Sequence, residues 1–353
     1  MSESQLTQLP SSLKAAITLY QSNDFTAAER QFTLLLEDES CELVARCFLA
    51  EIALIAGTGK EHIAALKAFL ESQPFASEVK HLLGLCYQQK RELSAAVSCY
   101  RDALATLLQH PPTIPYKQPV AAEFDTTIHE TLLWQTLVAL RQAGVKSFAT
   151  SGSLLGIERE GRILANDKDI DIGVDWGQMS QAIGVLQALG WQEYRRSYDL
   201  VNPRCFIHAA GVTLDLCGFA VDARTQTTIA GIWMSEMPFS WNRVTEYPAI
   251  HLTDKRTPFG MVWHLQQPQQ FLTALYGDWQ TPQPLFDTVL CARNIRDFSL
   301  LTQCLLYARL YRLVLLRQWA KLRFTLANVA FLDKQDSLIR ALEQLAQSQE
   351  HAV

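Results

Sequence analysis

Acidic residues occupy every second position of a short segment near the middle of the chain, NDKDIDIGV. Asp167, Asp169 and Asp171 alternate there with Lys168 and Ile170. Successive side chains of a β-strand point to opposite faces, so Asp169 and Asp171 are predicted to share one face while the isoleucines enter the core. Two carboxylates held this close repel each other by roughly 1 kcal/mol at a protein-like dielectric. A divalent cation relieves that repulsion, and all-oxygen ligands favour Mg²⁺ or Mn²⁺.

A third aspartate has similar surroundings. Asp215 lies in the segment GVTLDLCGF, where two leucines flank it in strand-like alternation. A charge in the middle of an apolar strand needs a partner. We predict that Asp215 joins Asp169 and Asp171 as a catalytic residue and metal ligand, and that it acts as the general base. The alternative is a structural ion pair with a lysine or arginine. Asp167 is a weaker candidate for the same site.

Small residues form a loop that precedes the acidic segment. Ser151, Gly152 and Ser153 follow a predicted strand at 146–150 and open a helical segment, LLGIERE. Backbone N–H groups and hydroxyls at such a turn bind phosphate, and glycine permits a close approach. We predict that Gly152 and Ser153 form a phosphate-binding turn.

Two cations are candidates for binding phosphate at the same place. Arg159 has the planar fork that suits two oxygens, and its alternative is a surface ion pair with a neighbouring glutamate. Lys168 stands at the start of the acidic strand and reaches either solvent or phosphate. Tyr276 and Asp278, in the segment YGDW, are weaker site candidates.

Other motifs do not fit this region. An EF-hand loop needs glycine at the position of Ile172 and a closing glutamate at the position of Gln178. The order SGSLLG is not the G-x-S-x-G of a serine hydrolase, and it lacks the G-K-[ST] of a P-loop. The pattern therefore favours a strand-borne carboxylate site.

The composition indicates folded domains. The chain has 353 residues, 48% hydrophobic and 19% charged, enough for two domains with cores. Its net charge of −5 argues against nucleic acid as the main partner. We see no signal pattern, no transmembrane stretch and no C-x-x-C pair among the eight cysteines. We expect reduced thiols and a cytoplasmic location, with peripheral attachment to the inner membrane surface as an alternative.

Amphipathic stretches in the first third predict three helical hairpins, with breaks near Asn23 and Gly57. In the third hairpin, Gly84 and Tyr100 occupy small and aromatic positions typical of a tetratricopeptide repeat (TPR). A plain helical bundle is the alternative. Repeats of this kind bind partners and have no catalytic equipment, so we expect a protein partner or self-association through them.

Strands and helices alternate after the hairpins, until a helical pattern returns near the end of the chain. The predicted fold class is an α-helical repeat (TPR-like) domain followed by an α/β (α+β) domain with C-terminal helices. The predicted boundaries are 1–110 for the repeats, 111–119 for a proline-rich linker, 120–298 for the catalytic domain and 299–353 for the C-terminal helical segment.

The order of these segments resembles a known superfamily. A Gly-Ser loop, then alternating aspartates, then a lone aspartate on a later strand is the signature of the nucleotidyltransferase fold. The span 125–284 is more closely similar to the LicD/fukutin family of phosphotransferases. That family's S-G-[ST]-x-L-G, arginine, W-D-x-D-I-D-like run and Y-G-x-W correspond to Ser151–Gly156, Arg159, Asn166–Asp171 and Tyr276–Trp279.

The resemblance implies a LicD/fukutin-like phosphotransferase. Such an enzyme moves ribitol phosphate, glycerol phosphate or phosphocholine from a CDP-activated alcohol donor to a hydroxyl of a glycan or lipid-linked glycan. It implies that Asp169, Asp171 and Asp215 hold Mg²⁺ or Mn²⁺ while Gly152 and Ser153 contact the donor. One alternative is a nucleotidyltransferase acting on a protein, a small molecule or RNA, which would use the same carboxylates. The other is a non-catalytic TPR scaffold.

Overall fold

The computed structural model describes residues 10–110, 125–165, 167, 169–194 and 199–349. They divide into two compact units. The first contains 10–110, 300–327 and 332–349, and the second contains the described parts of 125–299 with 328–331. The predicted linker at 111–119 and the predicted phosphate ligand Lys168 lie outside the described residues.

Helices fill residues 10–110 in three consecutive pairs. They are α1 (Ser11–Gln21), α2 (Phe25–Leu34), α3 (Glu42–Ala56), α4 (Ile63–Ser72), α5 (Ser77–Gln89) and α6 (Leu93–Gln109). The first two pairs turn at left-handed residues, Asn23 with φ 62° and Gly57 with φ 83°. Asp24 caps α2 by accepting a hydrogen bond from the Ala27 N–H over 3.1 Å. The predicted hairpins are therefore helical, while their TPR character stays a prediction.

Close packing within the third pair depends on a glycine. A Cβ placed on Gly84 of α5 would lie 2.6 Å from the ring of Tyr100 on α6. Tyr100 is fully buried, and its hydroxyl donates to Gln88 Oε1 over 3.0 Å. A small residue facing an aromatic one thus lets the two helices approach, as the sequence predicts for these positions.

The second unit is built on a mixed sheet. Its strands are β1 (Ser147–Ala149), β2 (Asp169–Asp175), β3 (Gln192–Glu193), β4 (Leu200–Asn202), β5 (Arg204–Ile207), β6 (Thr213–Val221), β7 (Thr228–Met234) and β8 (Arg243–Tyr247). The order is β1-β2-β6-β5-β3, and β7 pairs with β4, β6 and β8. Strands β2 and β6 are parallel, and β1 and β5 pair with them antiparallel. The helices are α7 (Thr126–Gln142), α8 (Ser151–Glu160), α9 (Met179–Ala188) and α10 (Pro268–Tyr276), and β9 (Leu252–Thr257) pairs with β10 (Gly260–Leu265).

The two central strands bury one face. On that face at most 1% of each apolar side chain is exposed, at Ile170, Ile172, Leu214 and Leu216. The aspartates between them, Asp171 and Asp215, are partly exposed on the opposite face. The predicted alternation of apolar and acidic residues is confirmed. Strands β8, β9 and β10 and helix α10 were not predicted, because their segments mix polar and apolar residues without a clear period.

Three further helices complete the described chain: α11 (Leu300–Leu315), α12 (Trp319–Asn328) and α13 (Ser337–Ser348). They belong almost entirely to the first unit. Arg101 of α6 forms a 2.7 Å ion pair with Asp336, and Ser77 Oγ lies 3.1 Å from the Tyr311 hydroxyl. The C-terminal helices therefore pack against the N-terminal helices. No helix in the described ranges combines the length and the apolar composition needed to cross a membrane.

Candidate active site

The two acidic strands place three carboxylates on one face of the sheet. In the parallel register of β2 and β6, Asp171 is paired with Asp215, and Asp169 with Thr213. Side chains paired in register project to the same side. Asp169, Asp171 and Asp215 are partly exposed, while the leucines and isoleucines on the opposite face are buried. The structure thus brings together the three aspartates that the sequence singles out.

The pKa of Asp171 reflects this crowding. Burial raises it well above its ordinary value, and the charges of Asp169, Asp167 and Asp215 raise it further, while a hydrogen bond from the Gly152 N–H lowers it. Burial also raises the pKa of Asp215. The four carboxyl groups therefore form one electrostatic cluster, in which each added negative charge is costly.

The small-residue loop holds Asp171 from several sides. The Gly152 N–H donates to Asp171 Oδ2 over 3.0 Å, and the Asp171 N–H donates to Ser153 Oγ over 3.0 Å. The Thr150 N–H donates to the Asp171 carbonyl oxygen over 3.1 Å. In this structure Gly152 and Ser153 thus position a carboxylate, and their contact with donor phosphates stays a prediction.

Gly152 has no room for a side chain. A Cβ built there would overlap the carboxylate of Asp167, well inside van der Waals contact. Asp167, the weaker candidate from the sequence, therefore lies against the start of α8. Because the N-terminus of a helix carries partial positive charge, this carboxylate occupies a favourable place for an anion.

Tyr276, at the end of α10, borders the same cluster. Burial raises its pKa well above the usual value, and the charges of Asp171 and Asp167 raise it further, while Arg159 acts in the opposite direction. Its ring lies 5.2 Å from that of Phe286. The structure therefore places a predicted weaker candidate near the carboxylates.

Arg159 makes the ion pair that was the alternative to its phosphate role, and its contact with phosphate stays a prediction. Its Nη2 lies 3.2 Å from Glu160 Oε1, which is the ion pair, and its Nη1 donates to the Trp279 carbonyl oxygen over 3.4 Å. Its Nε is buried without a hydrogen-bond partner among the described residues. Asp278 is exposed and accepts from the Thr281 N–H over 3.4 Å, so it shapes the local turn.

Two cysteines adjoin the carboxylates and were missed by the sequence analysis. Cys205 on β5 is the antiparallel partner of Asp215, so the two side chains leave the same face of the sheet, and the Cys205 thiol lowers the pKa of Asp215 against the effect of burial. Cys217 lies two residues beyond Asp215, and its Sγ donates to the Asp215 carbonyl oxygen over 3.9 Å. All eight cysteines are free thiols. The i+2 spacing could have indicated Cys217, but no local pattern reveals which strand lies beside β6.

A second polar pair lies farther along α8. Glu158 Oε1 is 3.0 Å from His264 Nε2, and both side chains are 13% exposed. The hydrogen bond from His264 lowers the pKa of Glu158. His264 thus joins β10 to α8.

The chemistry of the donor set suits a hard divalent cation, because three carboxylates crowd one face and offer oxygen ligands. As the side chains stand, however, no group of three or more His, Cys, Asp or Glu residues in the described ranges is arranged to hold a metal ion. One oxygen of Asp171 already accepts a hydrogen bond from the Gly152 N–H. Metal binding therefore stays a proposal that rests on the chemistry of the ligands.

No protein family and no curated protein matches the chain. Solved structures do match it. One is lincosamide antibiotic adenylyltransferase LnuA in its lincomycin-bound form, with 13% identity, covering 42% of this chain and 87% of that one, at a TM-score of 0.28. Another is the antibiotic-resistance factor ANT(2'')-Ia, with 13% identity, covering 65% of this chain and 96% of that one, at a TM-score of 0.30.

These findings correct the family assignment. The assignment to the LicD/fukutin phosphotransferases is wrong, because no family model matches the chain. The CDP-activated alcohol donor, the glycan or lipid-linked glycan acceptor and the partner predicted for the repeats are withdrawn with it. The physical reason is that a Gly-Ser loop and alternating aspartates describe a strand-borne carboxylate site and do not specify the group transferred.

Proposed function

We propose that the second unit has a nucleotidyltransferase fold and transfers a nucleoside monophosphate from a nucleoside triphosphate to a hydroxyl of a small molecule. The observation that carries the proposal is the placement of Asp169, Asp171 and Asp215 on one face of two parallel strands. Such a cluster is unfavourable in the isolated protein and becomes favourable beside a cation. A scaffold role would leave the cost of burying these charges without compensation.

In this proposal Asp169, Asp171 and Asp215 hold Mg²⁺ or Mn²⁺. The cation would neutralise charge on the triphosphate as pyrophosphate leaves. The acceptor oxygen attacks the α-phosphorus, the bond to the bridging oxygen of pyrophosphate breaks, and Asp215 accepts the hydroxyl proton. Asp215 suits this role because its burial raises its pKa and so increases its affinity for a proton.

Positive groups near the carboxylates would bind the triphosphate. Arg159 is mostly buried, its charge acts on Tyr276, and its Nε has no partner among the described residues. The N-terminus of α8, at Ser151, adds N–H groups and the positive end of a helix dipole. Gly152 and Ser153 would contact phosphate in addition to positioning Asp171.

A small molecule is the acceptor that we favour over RNA. The net charge of −5 disfavours a polyanionic acceptor, whose binding depends on neutralising its phosphates. The eight free thiols suit a reducing compartment, so a cytoplasmic location forms part of the proposal.

Product analysis tests the function directly. The full chain is incubated with each α-³²P-labelled nucleoside triphosphate, Mg²⁺ or Mn²⁺, and a panel of hydroxyl-bearing small molecules that includes lincomycin. We expect labelled monophosphate on an acceptor together with an equal amount of pyrophosphate, and at least a hundredfold loss in Asp171→Asn. The control is Asp175→Asn, which changes the exposed aspartate at the end of the same strand. Equal turnover by Asp171→Asn, or no labelled product with any acceptor, contradicts the proposal.

A further inference from the structure

The face of the sheet that carries the aspartates continues onto strand β5. Cys205 is the antiparallel register partner of Asp215, and Ile207 is the partner of Thr213. Side chains paired in this way project to the same side of a sheet, with Cβ atoms about 4.5–5.5 Å apart. Gln192 on β3 is paired with Ile207 in turn. One face of the sheet therefore extends from Asp215 across β5 to β3, the last strand in the sheet order.

The β5 part of this face is open, whereas the opposite face is filled. Phe206, Leu214 and Leu216 point the other way, and all three are 0% exposed. On the aspartate side, Ile207 is 40% exposed and Gln192 is also exposed. A single exposed aliphatic side chain is ordinary on a protein surface, so the place of Ile207 beside the carboxylates matters more than its exposure.

Farther along β6, the aspartate side of the sheet is covered by aromatic rings. Phe219 lies four residues beyond Asp215 and is 6% exposed. Its ring centroid is 5.2 Å from that of Phe148 on β1 and 5.7 Å from that of Phe271 on α10. Asp215 therefore stands between a covered part and an open part of one face, and the open part is the one formed by β5 and β3.

The proposed reaction determines which side of the carboxylates each substrate takes. In-line displacement places the attacking oxygen and the departing pyrophosphate on opposite sides of the phosphorus. Gly152, which would contact the triphosphate, follows β1 and donates its N–H to Asp171 on β2. Asp215 lies on the other side, because the strand order is β1-β2-β6-β5-β3. The acceptor should therefore approach over β5, where Asp215 takes its proton.

We propose that Ile207 is a specificity-determining residue of the acceptor site, where it packs against an apolar group of the acceptor. Cys205, which behaves as a small apolar residue, continues this surface toward Asp215. Asp215 and Ile207 are diagonal neighbours on adjacent strands, a spacing of about 7–8 Å that a short alkyl chain or one ring spans. The acceptor is therefore a small molecule with an apolar group close to its reactive hydroxyl. The inference rests on the proposed function, since it assumes that Asp215 is the general base.

The test uses probes that share one hydroxyl end and differ in their apolar tail. The full chain transfers labelled nucleoside monophosphate to the acceptor found by product analysis, and 1,2-propanediol, 1,2-pentanediol and 1,2-octanediol compete with it. The wild type is compared with Ile207→Val and Ile207→Thr, which have the same shape and differ in polarity. Val221→Thr is the matched control, because Val221 is 63% exposed at the far end of β6. The melting temperature of each variant establishes that it is folded.

We expect 1,2-octanediol to inhibit the wild type, Ile207→Val and Val221→Thr at least tenfold more strongly than 1,2-propanediol, since each buried methylene contributes about 0.8 kcal/mol. In Ile207→Thr this ratio should fall at least threefold and the KM of the acceptor should rise, while the KM of the triphosphate stays within about twofold.

Three results would overturn the inference while transfer of the label leaves the proposed function intact. They are inhibition of the wild type that does not strengthen with tail length, the same ratio in Ile207→Thr as in Ile207→Val, and an equal fall in Val221→Thr. A wild type that labels no acceptor overturns both proposals.

Discussion

Asp171 on β2 and Asp215 on β6 are register partners on parallel strands, although they lie far apart in the sequence. Burial raises the pKa of each, and the charge of Asp215 adds to the shift of Asp171. Without a cation the folded protein therefore holds two partly desolvated carboxylates side by side. Its stability should respond to the removal of either charge and to the addition of a divalent ion.

Asp171→Asn should stabilise the metal-free protein and abolish its response to metal. The amide keeps an acceptor for the Gly152 N–H but removes a charge that burial and three neighbouring carboxylates disfavour. We expect a gain of about 1 kcal/mol in the free energy of unfolding, equivalent to roughly one pKa unit. Urea unfolding with and without Mn²⁺ measures both effects, and Asp175→Asn is the control. A metal-free Asp171→Asn protein less stable than the wild type would disprove the electrostatic account.

The contribution of Asp171 and Asp215 to the stability of the metal-free protein should fall as the pH rises above about 4, where an ordinary aspartate ionises. Asp171 and Asp215 have raised pKa values in the folded state, so between the ordinary and the raised values the folded protein binds more protons than the unfolded chain. The double variant Asp171→Asn/Asp215→Asn lacks this contribution.

The difference in unfolding free energy between the double variant and the wild type isolates these two groups. Glu158 acts in the opposite direction, because His264 lowers its pKa and its stabilising effect is lost as the pH falls through that lowered value. This contribution is present in both proteins and cancels. We expect the difference to be small near pH 4 and to increase toward neutrality. Urea titrations from pH 4 to 8 measure it, and a difference independent of pH would contradict the raised values.

Gly152→Ala should destabilise the second unit by about 1–3 kcal/mol. The added methyl group would overlap the Asp167 carboxylate and displace the N–H that binds Asp171. Gly184→Ala is the matched control: Gly184 lies in α9, is exposed, and has no atom within 4 Å of an added Cβ. That control should be neutral or up to about 1 kcal/mol more stable, since alanine favours helix. Equal stability of the two variants in urea would show that the loop tolerates a side chain.

Gly84→Ala should destabilise the first unit through the ring of Tyr100. The new methyl group would lie 2.6 Å from ring carbons of a fully buried side chain, which has little space to move. We expect a loss of about 1–3 kcal/mol in the unfolding free energy. Differential scanning calorimetry of the full chain measures it. A melting profile identical to that of Gly184→Ala would mean that α5 and α6 can separate without cost.

The sequence predicts those parts of the site that depend on the alternation of apolar and acidic residues along a single strand. Alternation around Asp169 and Asp171, and again around Asp215, identifies both strands and the face that each exposes. It does not show that these strands are parallel neighbours, because register depends on long-range pairing. For the same reason the bond between Gly152 and Asp171 was not predicted, nor was the position of Cys205. The family assignment was wrong because short motifs were taken to specify a transferred group.

The hydrogen bond between Gly152 and Asp171 links two events that would otherwise be independent. A triphosphate that drew the Gly152 N–H toward its own oxygens would release Asp171 Oδ2, and the freed oxygen could then coordinate a cation. Thermodynamic reciprocity requires that the cation favour the triphosphate to the same degree. Nucleotide and metal should therefore bind cooperatively, each with low affinity when the other is absent.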